Sequence, residues 1–359
     1  MHKILTIVGA RPQFIKAAAV SHAIKDEYAD RITEDILHTG QHYDDRMSGR
    51  FFSELDIPQP KYNLGVGSGT HGVQTAAMLK GIEEVLMAEH YDGVLVYGDT
   101  NSTLAGALAA AKMHIPVFHV EAGLRSFNRA MPEELNRVLT DHASTLLFAP
   151  TQTAVCNLRN EGITDNRIVF SGDIMLDNVK YYSKQALSIQ NSLFAKPFLL
   201  ATVHRDFNTD NVERLKCILS ALNNIAEQHG ITILFPIHPR TRKCLDSMTS
   251  ISLSERIEVV DPFSYLETLA ALQHAHIVLT DSGGLQKESY FCGKPCVVLR
   301  PETEWVEIVE SGSAILSDAD PQKIADATAR LWDFVPTPPT QFGDGNAAKK
   351  IMQTIALCV

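Results

Sequence analysis

The stretch VLVYGDTNSTLAGALAAAKMHIPVFHVEAG, residues 94–123, decides the fold. Val94–Tyr97 is a short apolar run rich in β-branched residues, bounded by Gly98, and predicts a buried strand. Ser102–Met113 is Ala-rich and predicts a helix. Val117–Val120 predicts the next strand. A strand, a helix and a second strand in this order make a βαβ unit, which implies a parallel sheet with right-handed crossovers.

The same alternation extends in both directions. Towards the N-terminus, Ile4–Val8 and Asp35–Thr39 read as strands. Pro12 opens a helix through about Ile24, and helices are expected at about Asp44–Leu55 and over 73–89. Towards the C-terminus come a helix at Pro132–Asp141 and a strand at Leu146–Ala149. The second half repeats the scheme with strands at Phe198–Val203, Thr232–Pro236, Ile257–Val260, Ile277–Thr280 and Cys296–Leu299. Helices are expected near 209–228, 264–273, 284–292 and 321–332. The strand signal lapses within 172–195, and a Pro/Gly-rich stretch, Pro336–Gly345, precedes a last helix at 346–357. A chain of 359 residues exceeds one typical core. The expectation is an α/β protein of two domains facing a cleft, 1–172 with 346–359 and 173–345.

Composition narrows the class. With 45% hydrophobic and 21% charged residues the chain reads as an ordinary globular protein. Its net charge of −10 argues against nucleic acid as partner, which wants a basic face. The six cysteines, Cys156, Cys217, Cys244, Cys292, Cys296 and Cys358, form no C-x-x-C pair and no zinc spacing, so they read as free thiols in a reducing compartment. No stretch reaches the roughly 20 apolar residues of a membrane span, and the first apolar run is too short for a signal sequence. A cytoplasmic location is expected, without metal.

Nearly every unusual polar cluster falls where a predicted strand ends. Gly9–Lys16 (GARPQFIK) follows the first strand, and Arg11 and Lys16 are placed either to reach an anion at a helix start or to sit solvated beside a turn. The loop lacks G-x-G-x-x-G, so no NAD is implied. Asp99 is either a catalytic carboxylate or a cap for the Ala-rich helix. Glu121 leaves the sheet core at the end of its strand, which packing does not explain. Glu133 opens a helix, where an acid suits the dipole in any case. Thr280-Asp281-Ser282-Gly283-Gly284 carries a strand into a helix, and the absent side chains open backbone N–H groups to a phosphate. Glu288, one turn further, is placed to accept from both ribose hydroxyls. The alternative is an ordinary tight turn. His204 and His238 each follow a strand, a placement suited to anion or proton handling. His42, His71 and His142 are weaker candidates.

At these positions the chain resembles the non-hydrolysing UDP-N-acetylglucosamine 2-epimerase family. The matching pieces are GARPQFIK (9–16), TGQH (39–42), YGDT (97–100), HVEAGLR (119–125), PEELNR (132–137), His204-Arg205, His238-Pro239 and TDSGGLQKE (280–288). They span essentially the whole chain. The resemblance implies two Rossmann-like domains of the glycosyltransferase-B type, no cofactor, a UDP-sugar as substrate and a homodimer. By position, Asp99, Glu121, Glu133 and His204 match the family's catalytic residues. Arg11, Ser282, Gly283, Gly284 and Glu288 match groups that hold UDP, His238 lines the same cleft, and Lys16 falls at an active-site position. The implied reaction is elimination of UDP to a 2-acetamidoglucal, then re-addition with a proton delivered to the other face of carbon 2. Departures at 13–14, after His204 and over Arg300–Glu307 resemble a branch acting on UDP-2,3-diacetamido-2,3-dideoxyglucuronate in surface-polysaccharide pathways. A retaining glycosyltransferase of the same fold, a hydrolysing epimerase and a non-catalytic UDP-sugar sensor are the competing readings.

Overall fold

The computed structural model describes residues 1–40, 52–248 and 252–359. The expected helix at about Asp44–Leu55 falls largely outside these residues, as does His42 with its loop. The chain divides into two compact units, Met1–Asn178 with Thr340–Val359, and Val179–Pro339.

Unit 1 is built on seven parallel strands: β1 (His2–Val8), β2 (Ile32–His38), β3 (Tyr62–Asn63), β4 (Gly93–Tyr97), β5 (Val117–Val120), β6 (Leu146–Ala149) and β7 (Ile168–Phe170). Their order is β3-β2-β1-β4-β5-β6-β7. Unit 2 holds six: β8 (Phe198–Thr202), β9 (Thr232–Pro236), β10 (Ile257–Val260), β11 (Val278–Thr280), β12 (Cys296–Val298) and β13 (Ala314–Leu316), in the order β10-β9-β8-β11-β12-β13. Each order reverses once, between β1 and β4 and between β8 and β11. Ligands of open α/β sheets bind outside the carboxyl ends of the strands at such a reversal.

Strands at the centre are buried on both faces, which is why β4 reads as an unbroken apolar run. The helix Asn101–Lys112 lies close on this sheet. A Cβ at Gly106 would stand 2.6 Å from Ile7 Cδ1, so the Ala-rich surface with its glycine is what admits the approach. The core of unit 2 gathers Leu199, Ala201, Ile233, Phe235, Leu279 and Val297 from the strands with Leu215, Ile218 and Leu222 from the helix Val212–His229.

Three strands carried too little sequence signal to be expected: β3, β7 and β13 have two, three and three residues. The lapse of strand signal after 172 is a helix, Ile174–Leu187, and the chain passes from unit 1 to unit 2 within it.

Candidate functional site

The eleven candidate residues divide between the units, and Arg11, Asp99, His204 and Ser282–Gly284 follow the strands that flank the two reversals. Unit 1 holds Arg11, Lys16, Asp99, Glu121 and Glu133. Unit 2 holds His204, His238, Ser282, Gly283, Gly284 and Glu288.

In unit 1, Gly98 ends β4 at φ +65°, a conformation suited to glycine, and turns the chain into Asp99. The reading of Asp99 as a helix cap does not hold. The cap of the helix Asn101–Lys112 is Thr100, whose hydroxyl accepts the N–H of Thr103 at 3.3 Å. The Asp99 carboxylate instead accepts from Arg137, which also donates to Glu134 at 2.7 Å. Asn136 donates to the Asp99 carbonyl at 3.0 Å. Arg137, Asn136 and the buried Glu134 all stand on the helix Pro132–Ala143, so this helix sets the orientation of Asp99.

Glu121 follows β5 with its backbone at φ +70°, a region that L-residues other than Asn and Asp seldom enter. Its carboxylate pairs with buried Lys16. Lys16 Nζ also lies beside Gly98, where a Cβ would stand 3.1 Å from it. Lys16 therefore sits between the turn of Asp99 and the turn of Glu121. Glu133 is half-buried in the first turn of its helix and forms no ion pair among the described residues. Arg11 opens the helix Arg11–Ala23 half-buried.

Gln13 was quoted in the sequence only as part of a motif, yet it ties this end of the sheet together. Its Oε1 accepts Gly9 N–H at 2.8 Å and Ala10 N–H at 3.1 Å, and its Nε2 donates to Tyr97 O and Thr103 Oγ1, both at 2.9 Å. All four capacities of the amide are used, and the side chain is buried.

In unit 2, Ser282 caps the helix Gly283–Phe291, accepting from Leu285 N–H at 3.4 Å. Asp281 is the organiser that sequence reasoning passed over. It is fully buried, and its carboxylate accepts the N–H of His204 at 3.1 Å, that of Arg205 at 3.0 Å and the amide of Asn208 at 3.1 Å. The strand end that carries His204 is thereby held to the Ser282–Gly284 turn. His238 caps the helix Pro239–Ser247, and its ring centre lies 6.2 Å from that of His204. Glu288 is buried on the helix after the turn, and burial followed by the Glu288 charge pushes the Cys292 thiol up to about 12. Arg300, Trp305 and Glu304 surround Gly283: a Cβ there would lie 3.7, 3.7 and 3.8 Å from Arg300 Nη1, Trp305 Nε1 and Glu304 Oε2. The segment Arg300–Glu307 is thus in direct reach of the turn.

A family model described as UDP-N-acetylglucosamine 2-epimerase matches residues 25–356. The chain belongs to this family. Among its members, the UDP-2,3-diacetamido-2,3-dideoxy-D-glucuronate 2-epimerase of Pseudomonas aeruginosa is 47% identical over 357 residues, 99% of each chain. The UDP-N-acetylglucosamine 2-epimerase of Methanocaldococcus jannaschii is 43% identical over 98% of each. A crystal structure of the M. jannaschii epimerase in complex with UDP-GlcNAc and UDP superposes with a TM-score of 0.91 at 43% identity, covering 99% of both chains. The fold is the glycosyltransferase-B type expected of an epimerase in this family. Among the described residues no helix is long and apolar enough to cross a membrane.

Proposed function

We propose that this protein is a non-hydrolysing UDP-sugar 2-epimerase that inverts carbon 2 of a UDP-2-acetamido sugar. The observation that carries the reading is the placement of two complementary sets of groups near the reversals of two parallel sheets. Unit 2 offers a Ser-Gly-Gly helix start braced by Asp281, suited to a diphosphate. Unit 1 offers three carboxylates, two of them held by their own cations.

Hydrogen at carbon 2 is not acidic, because no carbonyl neighbours it. One carboxylate, Asp99, removes it as a proton while the carbon 1–oxygen bond breaks and its electron pair leaves with UDP. Glu121 or Glu133 then delivers a proton to the opposite face, and the diphosphate oxygen closes again on carbon 1. Arg11, His204 and the N–H groups at Ser282–Gly284 carry the charge on the departing diphosphate. Glu288 accepts from the ribose, His238 lines the same site, and Lys16 holds Glu121. No metal or redox cofactor has a role in this scheme. We propose that the domain division follows the units, with proton transfer in 1–178 and 340–359 and, Arg11 apart, the groups for UDP in 179–339.

The identity to the P. aeruginosa enzyme supports UDP-2,3-diacetamido-2,3-dideoxyglucuronate as the sugar. The contact of Arg300–Glu307 with the Gly283 turn supports that segment as a place where substrates are distinguished. We further propose a cytoplasmic homodimer, since Val73, Leu135 and Leu139 are 69, 42 and 50% exposed on two helices that both pack on Asn101–Lys112.

The test is turnover of UDP-GlcNAc and of the diacetamido uronate in heavy water, with products read by NMR. Deuterium at carbon 2 without free UDP is expected. Retention of the original hydrogen, or stoichiometric UDP release, would refute the reading. Asp99→Asn is expected to lower the rate by roughly 10²–10⁴.

A further inference from the structure

His119 stands in β5 with no solvent exposure. Its Nδ1 lies 2.7 Å from Asp141 Oδ1, and its Nε2 lies 2.8 Å from the carbonyl oxygen of Gly98. A carbonyl only accepts, so the Nε2 contact requires a proton on the ring. Asp141 accepts at its other oxygen from Gly123 N–H at 3.1 Å and pairs there with Arg125 at 2.8 Å. Arg125 and the Gly123 N–H hold this buried carboxylate in its ionised form. An ionised carboxylate also only accepts, so Nδ1 carries a proton as well.

We propose that His119 is a buried imidazolium whose pairing with Asp141 positions the two turns that carry Asp99 and Glu121. The carbonyl it holds belongs to the residue before Asp99. The N–H that Asp141 holds belongs to the second residue after Glu121. One ion pair therefore fastens both turns, and it does so where Glu121 adopts a backbone that needs outside support. The charges around it alternate: His119, Asp141, Arg125, and then Glu161, which accepts two hydrogen bonds from Arg125 at 2.7 and 2.6 Å. On the other side, the Lys16–Glu121 pair bridges the same two turns. His119 touches no substrate in this scheme. It is a positioning residue for proton transfer, and in that respect the proposal rests on the epimerase reading.

The experiment is NMR of the full chain labelled with ¹⁵N at histidine, at neutral pH, beside the kinetics of His119→Gln. Protons on both nitrogens of one buried ring are expected, with that signal lost in His119→Gln and reduced to a single ring proton in Asp141→Asn. His119→Gln is expected to lower kcat about 10²-fold, the effect of a misplacement near 1 Å, with KM within about threefold. A single proton on the His119 ring overturns the proposal even if the variant fails to fold, because that spectrum comes from the unaltered protein. So does a His119→Gln enzyme with unchanged kcat. Should the unaltered protein carry the doubly protonated ring yet place no deuterium at carbon 2, the epimerase reading falls while the imidazolium pair stands.

Discussion

Lys16 and Glu121 form an ion pair in which both side chains are 11% exposed, and Glu121 reaches it from a backbone at φ +70°. Removing one partner of such a pair leaves a charge short of its counter-charge in a poorly solvated place, which costs about 3–5 kcal/mol. Lys16→Met is therefore expected to lower the urea midpoint of unit 1 strongly, and adding Glu121→Gln should recover part of the loss. Strict additivity of the two substitutions would show that the pair is not coupled.

Gln13→Glu replaces two buried donors by acceptors opposite Tyr97 O and Thr103 Oγ1. Each mismatched group costs about 1–3 kcal/mol. The variant is expected to unfold at a temperature several degrees lower and to lose turnover along with stability, measured by calorimetry and by the deuterium assay. An unchanged melting temperature would mean that the amide is not the tie described above.

The order of strands and helices was legible because buried parallel strands are apolar throughout and many of their helices begin at Pro, Ser or Thr. The ends β3, β7 and β13 were not, since two or three residues carry no period. At the site, the placement of Asp99, Glu121 and Ser282 after strands was visible in the chain. What holds them was not. Asp99 meets Arg137 across 38 positions and His204 meets Asp281 across 77, pairings that only a folded sheet brings together. Glu134 and Arg137 lie three apart on one face of a helix, but nothing in that spacing pointed to Asp99.

Asp281→Ala removes the acceptor shared by His204, Arg205 and Asn208. Unit 2 is expected to lose on the order of 3 kcal/mol, from buried donors left without a partner. UDP affinity, measured by titration calorimetry, should fall at least about tenfold as the turn loosens. Full affinity for UDP in this variant would remove Asp281 from the support of the turn.

The carboxyl of Asp177 accepts the N–H groups of Ala347 and Ala348 at 3.1 and 2.8 Å, yet burial pushes it up to about 6. A carboxyl whose folded value is raised gives stability that is complete below its unfolded value near 4 and lost as pH rises through 6. Relative to Asp177→Asn, the unaltered protein should therefore lose up to about 3 kcal/mol between pH 4 and 7. Urea titrations of both proteins across this range test it, and a difference that grows with pH in the opposite sense would contradict the assignment.

The contact of Asp177 with Ala347 and Ala348 also orders events during synthesis. The helix Ala347–Cys358 belongs to unit 1, while residues 179–339 make up unit 2. A ribosome adding about 5–20 residues each second needs roughly ten to thirty seconds to cross that interval. The earlier half of the polypeptide must wait through it with one flank uncovered, and the later half is whole first. A chaperone that shields the waiting flank, formed by Arg11–Ala23 and the Asp177 region, would find its substrate in this nascent stage and nowhere in the finished molecule.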